Sequence, residues 1–309
     1  MSSTWPSSSY NSLRPLKPLL PSFLQSHAGN SSSIPKAQRK GSPSDRMGAS
    51  TVRILIINPN TSHHMTEALK PVIESLDLPS TIKSTFFTSP SPGIPSINSP
   101  EDAAQSAENC LSKLIPLLKD HDAFLVACYS QHPLVPQLKK ECAKLAASNA
   151  ERKFVTGIFE ASVTTSLALV PDDAGFGIVS TGKIWEEALQ TAVDEFLGTS
   201  KSTRFYGCET TGLNASELHD LPAEEVRVKM MDATKRLLRR GMTRPGAKDS
   251  KVKAICLGCA GMVGLDSAVR SACIEELGDQ AGKQVHIVDG VRAGVGSLYG
   301  LWKAMGGYY

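Results

Sequence analysis

The 309-residue sequence has little of what marks membrane, extracellular or nucleic-acid-binding proteins. No apolar run approaches the roughly 18–20 residues that cross a bilayer, so no membrane-spanning segment is predicted. The formal net charge of +3 is too small to indicate a nucleic-acid or anionic-membrane partner. Seven cysteines, an odd number, stand mostly in apolar or helical segments and do not suggest a disulfide framework. A reducing compartment, the cytoplasm, is therefore expected.

Motifs for cofactors and metals are also missing. No Gly-rich phosphate loop and no lysine-centred cofactor motif stands out. Cys256 and Cys259 are spaced as C-x-x-C, but there is no second such pair, and Cys256 lies within an apolar strand. His63 and His64 stand at a predicted helix start, where histidines are commonly solvated. We expect neither cofactor nor metal, and a zinc site or a redox disulfide at the C-x-x-C is the alternative.

Residues 1–51 have a composition of their own. Serine and proline are abundant, and Asp45 is the one acid among six basic residues. Such a segment cannot bury enough apolar surface to offset its ordering entropy, so a disordered tail is predicted. The alternatives are an organelle transit peptide, which would replace the cytoplasmic location, or translation that starts at Met47. Pro18 and Pro21 interrupt the short apolar stretches and argue against a secretory signal.

From Val52 onward, short apolar runs alternate with segments of helical periodicity. This alternation predicts an α/β fold in which mainly parallel sheets are flanked by helices on both faces. The predicted strands are residues 53–57, 81–88, 123–127, 154–159, 175–179, 205–210, 252–257 and 285–288. The predicted helices are residues 64–76, 100–119, 132–147, 161–169, 184–196, 223–240, 267–277 and 291–305.

The two halves of the body repeat a pattern of strand-end turns. In the first half a polar turn at Asn58 precedes a cysteine turn at Cys128, and in the second half Ser180 precedes Cys259. Ligands of open α/β sheets bind at the carboxyl ends of the strands. We therefore predict two pseudo-symmetric lobes with an active site in the cleft between them, one cysteine on each side.

Two thiols on opposite sides of a cleft suit the racemisation of a carbon acid. One removes a proton from one face, the other returns a proton to the opposite face, and the roles exchange in the reverse reaction. A thiol pKa of about 8.5 lies near working pH, and a following helix N-terminus is expected to lower the pKa of Cys128 and Cys259. Stabilisation of the oxyanion falls to Asn58, Ser130, Thr181 and the amides after each cysteine.

The other cysteines are predicted to be structural, since a cysteine at a strand end is commonly a small core residue. Only the pairing of Cys128 with Cys259 in equivalent turns indicates catalysis. His132 either tunes Cys128 or is a surface residue at a helix start. The predicted structural cysteines are Cys110, Cys142, Cys208 and Cys273.

Four stretches resemble the aspartate/glutamate/hydantoin racemase superfamily, and in particular its hydantoin and allantoin racemase branch. They are IINPNTS at 56–62, ACYS at 127–130, GIFEA at 157–161 and LGCAGM at 257–262. The resemblance covers residues 52–309. It implies a two-lobed fold without pyridoxal phosphate or metal, and a homo-oligomer. It also implies a first lobe of residues 52–156 completed by 289–309, and a second lobe of residues 157–288.

The resemblance also assigns roles to residues of the four turns. Cys128 and Cys259 match the catalytic cysteines. The positions that match substrate-binding turns are Asn58, Tyr129, Ser130, Thr181, Ala260 and Gly261. After Cys128 this chain has Gln131-His132-Pro133, where bacterial hydantoin racemases commonly have an acidic residue and glycine. The departure bears on the substrate more than on the chemistry.

Four functions remain open from the sequence. The first is racemisation of a 5-substituted hydantoin or allantoin, a small neutral ring that uncharged turn residues suit. The others are an amino-acid racemase of the aspartate type, an arylmalonate-type decarboxylase, and a non-catalytic two-lobed binding protein. An amino acid would call for more charge in the turns, the decarboxylases keep one cysteine, and two poised thiols are a liability in a simple binder.

Overall fold

The computed structural model describes residues 51–149, 152–242 and 249–305. These residues form two four-stranded parallel sheets, with strand orders β2-β1-β3-β4 and β6-β5-β7-β8. The strands of the first sheet are β1 (Val52–Asn58), β2 (Ile82–Thr88), β3 (Ala123–Val126) and β4 (Phe154–Gly157). Those of the second are β5 (Gly175–Ser180), β6 (Phe205–Thr210), β7 (Val252–Gly258) and β8 (His286–Asp289).

Ten α-helices connect or flank these strands within the described residues. They are α1 (His63–Glu74), α2 (Pro100–Leu114), α3 (Leu134–Asn149), α4 (Ile158–Leu169), α5 (Ile184–Leu197), α6 (Glu217–Asp220), α7 (Ala223–Arg240), α8 (Asp266–Leu277), α9 (Asp279–Gln284) and α10 (Gly290–Ala304). Two 3₁₀ helices span Ile115–Asp120 and Ala260–Met262.

The two sheets have the same topology, which confirms the predicted α/β fold with two similar lobes. In each lobe the first strand lies between the second and the third, and the fourth lies beyond the third. Strand β3 therefore corresponds to β7, and each is followed by one of the two candidate cysteines. The internal repeat seen in the sequence is thus a repeat of sheet topology.

Alternate residues of the central strands point into different cores because a strand exposes successive side chains on opposite faces. In β1, Leu55 and Ile57 pack with α2 and α3 in an outer core of the first lobe. Ile54 and Ile56 face an inner core that also takes in Phe176 of β5. The inner core also includes buried residues of α4 and α10, so it joins the two lobes.

Local signals in the sequence explain where several helices begin. The Ser62 hydroxyl accepts a hydrogen bond from the Met65 amide at the start of α1, and Ser99 does the same for Asp102 in α2. The Asp289 carboxylate accepts hydrogen bonds from the first amides of α10. That helix then packs against α1, α4, β3 and β4, so α10 returns to the first sheet.

The predicted elements were wrong at several boundaries. The helix predicted to Lys119 ends at Leu114, because Pro116 lacks an amide proton and the chain continues as a 3₁₀ segment. The strand predicted to Phe159 ends at Gly157, which is the N-cap of α4. Helices α6 and α9 were not predicted, since four and six residues are too short to show a helical period.

Three expectations concern parts of the chain that the structure does not decide. The predicted disordered tail, residues 1–51, lies outside the described residues apart from Thr51. The lobe boundaries within 52–309 stay a prediction. Strand β4 lies in the first sheet and β8 in the second. In the described part of the chain, no helix combines the length and apolar character needed to cross a bilayer.

Candidate active site

Strand pairing places Asn58 and Cys128 at the same edge of the first sheet. Strands β1 and β3 are parallel neighbours with Ile57 opposite Val126, and the Ala127 amide donates to the Ile57 carbonyl over 2.8 Å. Both strands end at this edge, so the turns that follow them lie side by side.

The second sheet repeats this arrangement. Ser180 of β5 is paired with Gly258 of β7, and the Ser180 hydroxyl donates to the Gly258 carbonyl over 2.8 Å. Thr181 and Cys259 follow directly. The close packing depends on glycine, because a Cβ at residue 258 would lie 2.6 Å from the Val179 carbonyl oxygen.

Exposure separates the two candidate cysteines from the other five. Cys128 and Cys259 are half-buried, although Ala127, Tyr129 and Ala260 beside them are buried. The remaining cysteines, Cys110, Cys142, Cys208, Cys256 and Cys273, are buried in the interior. The two thiols at the strand-end turns are thus the ones open to a ligand.

The C-x-x-C does not act as a unit. The Cys256 thiol lies 3.1 Å from the Ser166 hydroxyl of α4, inside the inner core, whereas the Cys259 thiol accepts a hydrogen bond from the Gly261 amide at 3.3 Å. Among the described residues, no group of three or more histidine, cysteine or carboxylate side chains is arranged to hold a metal ion.

The candidate thiols of the two lobes are close enough to influence each other's ionisation. Burial raises the pKa of Cys128 to about 12, the Ser130 hydroxyl at 3.6 Å opposes this rise, and the neighbouring Cys259 thiolate adds to it. Burial raises the pKa of Cys259 to about 11, against the Gly261 amide. Two thiolates in one cleft repel each other, so the pair loses one proton before the second.

The expectation that helix N-termini lower both thiol pKa values was wrong. Helix α3 begins at Leu134 and α8 at Asp266, so neither cysteine stands at the start of an α-helix. A short 3₁₀ helix follows Cys259, and its Gly261 amide is the main stabilising donor. Burial raises the thiol pKa more than this donor lowers it, so both thiols are protonated at neutral pH without a ligand.

In the first lobe, the predicted substrate-binding residues largely use their side chains in other contacts. The Asn58 amide group donates to the Ser62 carbonyl and the Thr66 hydroxyl at 2.9 and 3.0 Å, and its oxygen accepts from the Asn60 amide. The Tyr129 hydroxyl lies 2.7 Å from that of Ser162 in the interior. A substrate contact by Asn58 or Tyr129 stays a prediction.

The other three predicted binding positions lie around Cys259. Thr181 is buried, and its carbonyl accepts from the Gly212 amide at 3.0 Å. Ala260 and Gly261 begin the 3₁₀ helix next to the thiol. A contact of these residues with substrate also stays a prediction.

His132 is fully buried rather than at the surface. Its Nδ1 accepts from the Leu134 amide, so Nε2 carries the proton and donates to the Ser106 hydroxyl at 3.0 Å. Burial lowers the pKa of His132 to about 4, so the ring is neutral. Its hydrogen bonds to Ser106 and Leu134 fix the turn after Cys128 to α2 and do not reach the thiol.

Glu160 acts electrostatically on the candidate site, and the sequence reasoning did not single it out, although it stands in the GIFEA stretch. Its charge raises the pKa of Cys128. Burial raises the pKa of Glu160 itself, against the backbone amides at the start of α4 and Lys139. One carboxylate oxygen is buried without a hydrogen-bond partner among the described residues.

A separate crevice of about 640 Å³ lies beside the turn that follows Cys259. Val263, Gly264, Asp266, Asp289 and Arg292 are among its lining residues, and neither candidate thiol is. It is therefore distinct from the site formed by the two cysteines.

The fold and the site together define a class: a two-lobed α/β protein with one half-buried thiol on the equivalent strand-end turn of each sheet. The chain belongs to the Asp/Glu/Hydantoin racemase family, which matches residues 54–298. This membership confirms the superfamily indicated by the four sequence stretches, and it places the chain among racemases, which are isomerases.

Individual relatives agree with this membership. The chain is similar to the uncharacterized protein C1F7.10 of Schizosaccharomyces pombe, with 34% identity over 81% of this chain and 92% of that protein. Its structure is similar to the allantoin racemase from Pseudomonas fluorescens, with TM-score 0.62 and 24% identity over 82% of this chain and 92% of that one. The structure is also similar to an allantoin racemase from Klebsiella pneumoniae, with TM-score 0.60 and 24% identity over 83% of this chain and 89% of that one. At this identity the two structures show the shared fold.

Proposed function

We propose that the protein is a cofactor-independent racemase of 5-substituted hydantoins or allantoin. The observation that carries the proposal is the pair Cys128 and Cys259. They follow equivalent strands of two equivalent sheets, they are the two half-buried cysteines among seven, and the charge of Cys259 raises the pKa of Cys128.

The proposed reaction moves one proton off each molecule of substrate and returns another. The thiolate of one cysteine takes the proton at ring C5, and the electron pair of the C–H bond delocalises onto the adjacent carbonyl oxygen. The planar enolate then receives a proton on its opposite face from the thiol of the other cysteine. The second thiol becomes the thiolate, so the enzyme is ready for the reverse direction.

The raised thiol pKa values fit a reaction that needs one thiol and one thiolate at the same time. Because each charge disfavours the other, the doubly ionised state is suppressed and a proton donor is kept. Burial raises the pKa of both thiols, so each is a proton donor until the other is ionised.

The uncharged turns support a neutral ring as the substrate. The four turns, residues 58–62, 127–133, 180–182 and 258–264, contain neither a carboxylate nor a lysine or arginine. The carboxylate that acts on Cys128, Glu160, belongs to α4, and burial raises its pKa. Hydroxyls and amides suffice for a hydantoin, whereas the ammonium and carboxylate of a free amino acid call for charged partners. The similarity to two allantoin racemases points the same way.

The test is to incubate the protein with single enantiomers of allantoin and of 5-benzylhydantoin in D₂O. Optical rotation and loss of the C5–H signal by NMR are compared with an enzyme-free control. The proposal expects rotation to decay and deuterium to enter C5 faster than in the control. Inversion should fall by at least about 10²–10⁴-fold in Cys128→Ala and in Cys259→Ala.

A matched control separates catalysis from folding. Cys142→Ala removes a buried thiol of α3, away from the cleft, and should leave the rate unchanged. If the wild-type protein accelerates neither ring, the proposal is overturned, and amino acids and malonates become the compounds to test.

A further inference from the structure

The unpredicted helix α6 covers the turn that carries Cys259. The loop leading to it is fixed to the end of β5, where the Thr211 and Gly212 amides donate to the Ser180 and Thr181 carbonyls. Helix α6 then packs against the 3₁₀ helix Ala260–Met262. The chain between β6 and α7 therefore forms a wall of the site in the second lobe.

His219 is the α6 side chain that reaches the thiol's surroundings. A Cβ placed on Gly261 would lie 3.1 Å from the His219 Nε2 and 3.6 Å from the Cys259 sulfur, so imidazole and thiol face the same small space. Leu218 borders that space at 3.4 Å. A side chain at residue 261 would crowd His219, so glycine lets the imidazole approach the thiol.

The first lobe contributes a second histidine at the same place. His64, in the first turn of α1, meets His219 edge to face with ring centroids 5.3 Å apart. The two lobes also touch nearby, where the Ala215 amide donates to the Asn98 side-chain oxygen at 3.5 Å. Both imidazoles reach solvent at this contact between the lobes, although His219 is partly covered.

The ring nitrogens of this histidine pair are available to a ligand. Within residues 51–149, 152–242 and 249–305, none of them is engaged in a hydrogen bond. Burial and the neighbouring His64 lower the pKa of His219, against Asp220, so its ring is neutral at physiological pH. A neutral imidazole offers one donor and one acceptor.

We propose that His219, together with His64, binds a polar hydrogen-bonding substituent at C5 of the ring and so determines substrate specificity. This inference rests on the proposed racemase function. A ureido group, which carries both N–H donors and a carbonyl acceptor, matches the pair, whereas a benzyl group does not. Helix α6 thus selects allantoin-like rings over hydantoins with apolar substituents.

The experiment compares the two substrates in the same variants. His219→Leu and His64→Leu should each lower kcat/KM for allantoin by about 10- to 100-fold, because the bound ureido group loses a partner. Turnover of 5-benzylhydantoin should stay within about twofold of wild type. His219→Gln, which keeps a donor and an acceptor, should restore most of the allantoin activity. His63→Leu, at the exposed neighbouring position, is the matched control and should leave kcat/KM unchanged for both substrates.

The outcomes distinguish this inference from the function on which it rests. An equal loss for both substrates would mean that His219 only holds α6 in place, and it would overturn the specificity role. Wild-type turnover of 5-benzylhydantoin without turnover of allantoin would also overturn it and would leave the two-thiol racemase intact. Turnover of neither ring by the wild-type protein would instead remove the proposed function.

Discussion

At the scale of single residues, the ionisation of Cys128 and Cys259 decides how the proposed reaction starts. Both thiol pKa values lie above neutral pH, at about 12 and about 11, because the surroundings of the turns disfavour charge. The free protein therefore holds only a small fraction of thiolate. A substrate that excludes water between the two lobes meets a strong base when that thiolate does form.

The pH dependence of the reaction follows from the raised pKa values of the two thiols. A thiol with a raised pKa is protonated at pH 7, so the thiolate fraction grows about tenfold for each pH unit below the pKa. We expect kcat/KM to rise with this slope from pH 6 to about pH 9, measured by initial optical rotation with subtraction of the enzyme-free rate. A flat profile over this range would contradict raised thiol pKa values in the free protein.

Glu160 gives a second prediction at this scale. Its charge raises the pKa of Cys128, so Glu160→Gln should lower that pKa and increase the thiolate fraction. Alkylation of Cys128 by iodoacetamide at pH 8 should become several-fold faster, followed by peptide mass spectrometry. Cys259 in the same sample is the internal control. Equal acceleration at both cysteines would indicate a general opening of the cleft instead.

At the scale of elements, the sequence predicted what periodicity and apolar runs encode. All eight strands and the eight longer helices were anticipated, because buried parallel strands and amphipathic helices leave strong patterns. Cys128 and Cys259 were singled out because each follows an apolar strand in an equivalent turn, and their catalytic role stays a prediction. Helix α6 and the position of His219 were not predicted, since a four-residue helix has no period and the packing of His219 over Gly261 joins distant parts of the chain.

The packing of α10 on the first sheet gives a prediction at the element scale. A Cβ on Gly294 would overlap the Leu125 side chain of β3, whereas one on Gly296 would meet nothing within 4 Å. Gly294→Ala should lower the free energy of unfolding by about 1–3 kcal/mol, because both partners are buried. Gly296→Ala should raise it by about 0.5–1 kcal/mol through helix propensity. Urea unfolding followed by circular dichroism measures both, and equal effects would contradict the close contact.

At the scale of the whole molecule, two sheets of one topology each carry a similar turn that contributes one cysteine to the proposed site. The inner core extends through both lobes, from Ile54 to Phe176, and holds them together. What the residues alone did not reveal is that the chain closes this arrangement by sending α10 back to the first sheet; only the family resemblance implied it. A helix that begins at the end of one sheet and packs on the other leaves no mark in local periodicity.

The pseudo-symmetry leads to a prediction about each half of the proposed reaction. If the thiols stand on opposite faces of the substrate ring, Cys128→Ala leaves Cys259 able to remove C5–H from the one enantiomer whose hydrogen faces it. Without a donor on the far face, the enolate recovers its proton from the same side. The variant should therefore exchange C5–H for deuterium in that enantiomer without inverting it.

Cys259→Ala should do the same with the opposite enantiomer, so the two variants should divide the enantiomers between them. NMR of C5–H loss, combined with chiral chromatography of the recovered substrate, measures exchange and inversion separately. Exchange of the same enantiomer by both variants would place the two thiols on one face of the ring. Such a result would contradict a mechanism built on the symmetry of the two lobes, even if both cysteines proved essential.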